Sequence, residues 1–192
     1  RGQDPALAFL GDRADTTQMA VAGHSAGGMA CGQLGNEAGV RVAIPMAAGG
    51  VDPAHPVTST LVLGGLDDAT VAFKRTREGY DATTGKKRLV GLEKAGHLAF
   101  SDLCVVAGDA GDLFSLATQW GIKIPPGTDA LFKKLATDGC GVGQLDPAEG
   151  WRAINLTTTA VLEETLQCRQ GADPLVTVKG TLPAVAVYET SF

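Results

Sequence analysis

The chain has 192 residues, 44% of them hydrophobic, enough for one substantial core and about one domain. Its 16 basic and 21 acidic side chains leave a net charge of −5, and the basic residues form no cluster. That balance argues against nucleic acid or an anionic membrane surface as the main partner, and no apolar run approaches the roughly 18–20 residues of a membrane span.

In chain order, residues 5–10 read as a helix, and Gly11 with the polar residues after it reads as its end and a loop. Residues 17–22 are a short apolar strand that runs into Gly23-His24-Ser25-Ala26-Gly27. This is the G-x-S-x-G pattern of a nucleophile elbow, in which a serine is pushed out at a sharp strand-to-helix turn. Such a turn needs unusual backbone angles and neighbours without bulk, which Gly23 and Gly27 are expected to supply. A small-residue helix over 26–37 follows, stopped by Gly39. Its first N–H groups, Ala26 above all, would face the negative charge that develops in acyl transfer.

Residues 40–47 (Val-Arg-Val-Ala-Ile-Pro-Met-Ala) and 59–64 (Ser-Thr-Leu-Val-Leu-Gly) read as buried parallel strands. The loop between them carries Asp52 and His55. Gly65-Leu66-Asp67-Asp68 follows the second strand, a helix is expected over 70–80, and residues 86–92 form a fourth strand that leads to Gly96-His97. After His97 the pattern turns helical: a compact apolar stretch over 98–104, short helices over 111–121 and 128–137, and a long one over 147–168. In that long helix Trp151, Ile154, Ala160, Val161 and Leu162 lie on or near one face. The tail 175–187 alternates weakly, as an edge strand would. The chain is thus expected to be one α/β domain: a catalytic sheet half over 1–104, a helical segment over 105–170 and a tail over 171–192.

Ser25, Asp67 and His97 each fall just past the carboxyl end of an expected strand, where open parallel sheets hold their ligands. Successive members lie about 40 and about 30 residues apart, room for a crossover at each step. The order nucleophile, acid, histidine is that of a Ser-Asp-His triad. In it His97 takes the Ser25 proton and Asp67 orients the imidazole, with Asp68 as the alternative acid. Asp67 is preferred because Gly64-x-x-Asp67 closes its strand. His24 and His55 read as structural.

Gly23-His24-Ser25-Ala26-Gly27-Gly28, Gly64-Gly65-Leu66-Asp67 and Gly96-His97-Leu98-Ala99-Phe100 resemble the three motifs of α/β-hydrolase esterases. The groups are the cutinase-like bacterial polyester hydrolases and the relatives of platelet-activating-factor acetylhydrolase and dienelactone hydrolase. The match runs over residues 12–104; it departs from the polyester hydrolases after His97 and from dienelactone hydrolases in having serine as nucleophile. The resemblance implies a parallel α/β-hydrolase sheet with an added helical segment after the histidine, and a serine esterase that needs no metal or cofactor. Its substrate would be a small-molecule or polymeric carboxylic ester, and its location secreted or periplasmic. Readings from other classes are a noncatalytic subunit or remnant, and a peptidase or thioesterase on the same triad. In this fold four or five strands precede the elbow and carry one oxyanion donor. An upstream polypeptide segment is therefore expected to complete the sheet. Without it, Val21, Ile44 and Leu61 should be poorly covered.

Of the four cysteines, Cys104 and Cys140 bracket the first helices after His97 beside turn residues, where a disulfide is sterically easy. Cys31 falls inside the elbow helix and reads as a buried free thiol. No close C-x-x-C pair points to a metal.

Overall fold

The computed structural model describes residues 9, 13–108, 112–123, 125, 127–167 and 171–192. The helix expected over 5–10 therefore lies outside the described residues, apart from Phe9, and so does Cys168.

Five strands make one sheet in sequential order: β1 (Met19–His24), β2 (Val40–Met46), β3 (Ser59–Gly65), β4 (Lys86–Leu92) and β5 (Val185–Ser191). The first four pair in parallel, and β5 lies antiparallel against β4. β3 is buried at every position, as a strand covered on both faces must be. Alternation within the strands sorts the core by face. Val42, Ile44, Leu61, Leu63, Val90 and Leu92 face one cluster, and Ala43, Val62 and Leu89 face the other side.

On that second side pack α1 (Ala26–Gln33), against β1 and β2, and α2 (Phe73–Ala82), against β3 and β4. The opposite face is covered by α6 (Pro147–Leu166) and the short α7 (Val178–Thr181). Asp146 caps α6 by accepting the N–H of Ala148, with Pro147 in the first turn, so the start of this helix is set by its sequence. The buried stripe of α6 is Gly150, Ala153, Thr157 and Val161, small residues that let it lie close on the sheet. Of the five residues expected on its face only Val161 is fully buried; Ile154, Ala160 and Leu162 pack at the margin. Between β4 and α6 run a 3₁₀ turn (His97–Phe100), α3 (Leu103–Ala107), α4 (Leu113–Gln119) and α5 (Asp129–Thr137).

Two expectations change. The tail strand is Val185–Ser191 and not 175–187, because the residues before it turn through α7. Ile44 and Leu61 are 1% and 0% exposed: α6 and the tail cover them. β1 and β5 are the two edges among the described residues, and β1 is the less covered at its centre, with Val21 half-buried and Ala20 and Ala22 exposed. A disulfide joins Cys104 to Cys140, with Cα atoms 5.1 Å apart. Cys31 is buried and unbridged, and burial pushes its thiol up.

Candidate active site

Three strand ends meet at the carboxyl edge of the sheet. Ser25 leaves β1 with φ 55° and ψ −119°, a strained conformation for a residue with a Cβ, and α1 begins at the next residue. Its N–H donates to the Met46 carbonyl at the end of β2, and its own carbonyl accepts from Met29, so the strained residue is pinned from both sides. The glycines flanking it differ in role. A Cβ on Gly23 would sit 2.1 Å from the Gly27 carbonyl oxygen, so only glycine fits there, whereas Gly27 has open space where its Cβ would be. The room expected from both glycines is needed at Gly23.

His97 follows β4 by way of Gly96. Its Nδ1 lies 2.9 Å from Asp68 Oδ2 and its Nε2 lies 2.8 Å from Ser25 Oγ. A carboxylate only accepts, so Nδ1 carries the proton and Nε2 is left to receive the serine hydroxyl. His97 and Asp68 are each 5% exposed.

Asp67 is not part of this chain of contacts. The Leu66 and Asp67 N–H groups bond back to the Leu92 and Ala95 carbonyls, which holds the backbone against the base loop and leaves the Asp67 side chain in solvent. The chain then turns, and Asp68 comes inward. Asp68 Oδ1 accepts the N–H groups of Thr70 (2.8 Å) and Val71 (2.6 Å), which leaves Oδ2 for His97. This Asp-x-Thr turn is the sequence signal that separates the two aspartates: a short carboxylate accepting from backbone two and three residues on.

Two further side chains reach His97, and neither was expected to. His24 Nε2 donates to the His97 carbonyl at 2.8 Å, with its ring 4.7 Å from the His97 ring and stacked on Phe100. Burial, and then the neighbouring His97, push the His24 pKa below its usual value. Asp138 Oδ1 accepts the His97 N–H at 3.1 Å. His55 lies elsewhere, beside Asp52 in the loop after β2.

No family model matches the chain, and no curated protein does. Among solved structures it is similar to a ferulic acid esterase from Streptomyces cinnamoneus, with a TM-score of 0.58 and 21% identity. That likeness covers 82% of this chain and 43% of the other, so the chain spans less than half the length of that neighbour. The fold is α/β-hydrolase-like.

The Ala26 N–H belongs to the first turn of α1, where no intrahelical acceptor exists. A small cleft opens beside Ser25, lined by Met29, Ala47, Ala48, Gly49, Val71 and Arg75. Its walls are mostly apolar, and the Arg75 guanidinium sits at the rim, 3.9 Å from the Met29 sulfur. Among the described residues no group of histidine, cysteine and acidic side chains could hold a metal ion, and no helix is long and apolar enough to cross a membrane.

Proposed function

We propose that this chain is the serine-bearing part of a carboxylic ester hydrolase that works through an acyl-enzyme. The observation that carries the reading is the unbroken relay from Ser25 Oγ through His97 to Asp68. In the first half-reaction Ser25 Oγ attacks the ester carbonyl while His97 Nε2 takes its proton. Asp68 holds the Nδ1–H tautomer and faces the imidazolium that forms. The tetrahedral oxyanion lies against the Ala26 N–H. Collapse expels the alcohol, protonated by His97, and leaves the acyl group on Ser25. Water, activated by the same histidine, then releases the acid and restores the serine. The small apolar cleft suits a short acyl or alcohol group. The name of the similar solved structure adds an aromatic hydroxycinnamate ester to the substrates worth testing.

The open edge of β1 supports a second element of the proposal. An upstream segment pairs with that edge and brings a second oxyanion donor; one such donor is typically worth about a hundredfold to a thousandfold in turnover. The Cys104–Cys140 bridge favours a secreted or periplasmic setting.

The test is to label Ser25 with a fluorophosphonate and to measure hydrolysis of p-nitrophenyl acetate, p-nitrophenyl butyrate and methyl ferulate, with the 192-residue chain alone and with its upstream segment. Labelling that disappears in Ser25→Ala, together with turnover raised by the added segment, supports the reading. An unlabelled serine in the complete assembly would leave the noncatalytic remnant. Preference for peptide or thioester substrates would move the protein to those classes.

A further inference from the structure

The helical segment after His97 reaches back into the relay through one side chain. Asp138 closes α5, 41 residues after the histidine, and is 8% exposed. Its Oδ1 accepts from the His97 N–H (3.1 Å) and from the Ala69 N–H (3.3 Å). Its Oδ2 accepts from the Thr70 hydroxyl at 2.6 Å, and its main-chain carbonyl accepts from the Leu98 N–H at 2.8 Å. One carboxylate therefore ties the residue that supplies the base to the two residues that follow Asp68. These bonds are independent of those Asp68 makes for itself, since the Thr70 N–H goes to Asp68 while the Thr70 hydroxyl goes to Asp138.

The surrounding backbone is shaped to admit this carboxylate. A Cβ on Gly96 would lie 2.4 Å from the Gly139 nitrogen and 2.6 Å from Asp138 Oδ1, and Gly139 itself has φ +103°. Two glycines thus let the segment lie directly on the base loop. The next residue, Cys140, is bridged to Cys104 in α3, which fixes the same segment from the other end.

We infer that Asp138 is a positioning residue: it sets the separation of the acid loop and the base loop, and the Cys104–Cys140 bridge holds it in place. The inference rests on the hydrolase reading and extends it, because it makes the appended helical segment a working part of the relay. An Asp68–His97 bond that is drawn only a little out of line delivers the imidazole to Ser25 at the wrong angle. Displacements of about 1 Å can cost on the order of a hundredfold in turnover.

The experiment compares Asp138→Ala, Asp138→Asn, Thr70→Val and Cys104→Ser/Cys140→Ser in the complete assembly. It reads kcat and KM on p-nitrophenyl butyrate, and the low-field proton resonance of His97 Nδ1–H. Asp138→Ala is expected to lower kcat by about 10- to 100-fold with KM within about twofold, and to shift or broaden the resonance. Asp138→Asn keeps an oxygen for the two N–H groups and a donor for the Thr70 oxygen, so it should recover to within about threefold of wild type. Thr70→Val and the double cysteine variant should fall between. A folded Asp138→Ala protein with wild-type kcat and an unmoved resonance would overturn the inference. So would an Asp138→Asn variant as poor as Asp138→Ala, since the charge would then be acting and not the bonds. Should Asp138→Ala fail to fold, Thr70→Val carries the test, and its unchanged kcat and resonance would overturn the inference equally. If wild type neither turns over ester nor is labelled, the hydrolase reading fails, while the resonance still reports whether Asp138 holds the histidine.

Discussion

Asp68 Oδ1 is occupied by two main-chain N–H groups of its own loop, so the direction of Oδ2 is set before the histidine arrives. That pre-orientation gives sharply unequal expectations for two adjacent aspartates. Asp68→Asn keeps the shape but offers Nδ1 an amide that can turn its donor side inward and select the wrong tautomer. A loss of about ten-thousandfold in kcat is expected. Asp67→Asn, in solvent, should change kcat by less than about twofold. Equal losses in the two variants, measured on one chromogenic ester, would reassign the acid. His24 yields a stability prediction. Its folded pKa is depressed, chiefly by burial, so as pH falls below its ordinary value near 6.5 the unfolded chain takes up a proton that the native ring resists. The contribution is present above that pH and is lost on acidification below it. Denaturant midpoints taken from pH 7.5 down to pH 5 should therefore fall more steeply for wild type than for His24→Gln. Parallel curves would show that the ring titrates as it does in the unfolded chain.

At the scale of elements, β4 is fixed by charge as well as by apolar contact. Arg88 on β4 is 0% exposed, and its guanidinium meets Asp173 at 2.9 Å and Glu164 of α6 at 3.0 Å, while the Tyr188 hydroxyl of β5 donates to Asp173. The network fastens the long helix, the turn before α7 and the antiparallel strand to one point. Asp173 is pulled below the usual carboxylate range: burial opposes this, but the bonds from Tyr188, Leu175 and Arg88 outweigh it. Arg88→Ala leaves two carboxylates without their buried partner and should cost about 3–5 kcal/mol in urea unfolding. A cost under about 1 kcal/mol would mean that water or Lys86 replaces the guanidinium. The legible and illegible parts of the sequence divide along similar lines. Strands β1 to β4 could be placed to within about two residues because their apolar runs are short and bounded by turns. The elbow serine and His97 were legible because glycine marks the turns that present them. The choice between Asp67 and Asp68 has a local half, the Asp68-Ala69-Thr70 turn, and a tertiary half, the Leu92 and Ala95 carbonyls that hold the loop backbone and turn Asp67 outward. Asp138 carries no local signal, since its partners lie 41 and 68 residues away. The tail strand was misplaced because alternation over 175–187 does not distinguish an edge strand from a turn and a short helix.

On the scale of the whole molecule, the relay spans the sheet unevenly. His97 and Asp68 project from β4 and β3, which have a paired neighbour on each side, while Ser25 hangs from β1, which among the described residues has one. Local opening free energies follow such differences in coverage. The β1–α1 unit should open by itself, carrying Ser25 away from an Asp68–His97 pair that stays intact. In deuterium exchange, amides of Val21 and Ala22 should lose protection at least about a hundredfold faster than those of Val62 and Val90. Hydrolysis should likewise fail at a denaturant concentration where the tyrosine and tryptophan signals of the remaining fold are still native. Uniform protection across the four parallel strands would show instead that the sheet opens as one unit. A segment paired on the free side of β1 would slow that exchange directly, so the isotope label offers a gauge of how firmly the serine is held from one condition to the next. On the proposed hydrolase reading, the same asymmetry would make inactivation reversible: fraying one strand would withdraw Ser25 and re-zipping would return it, with the core under His97 still packed.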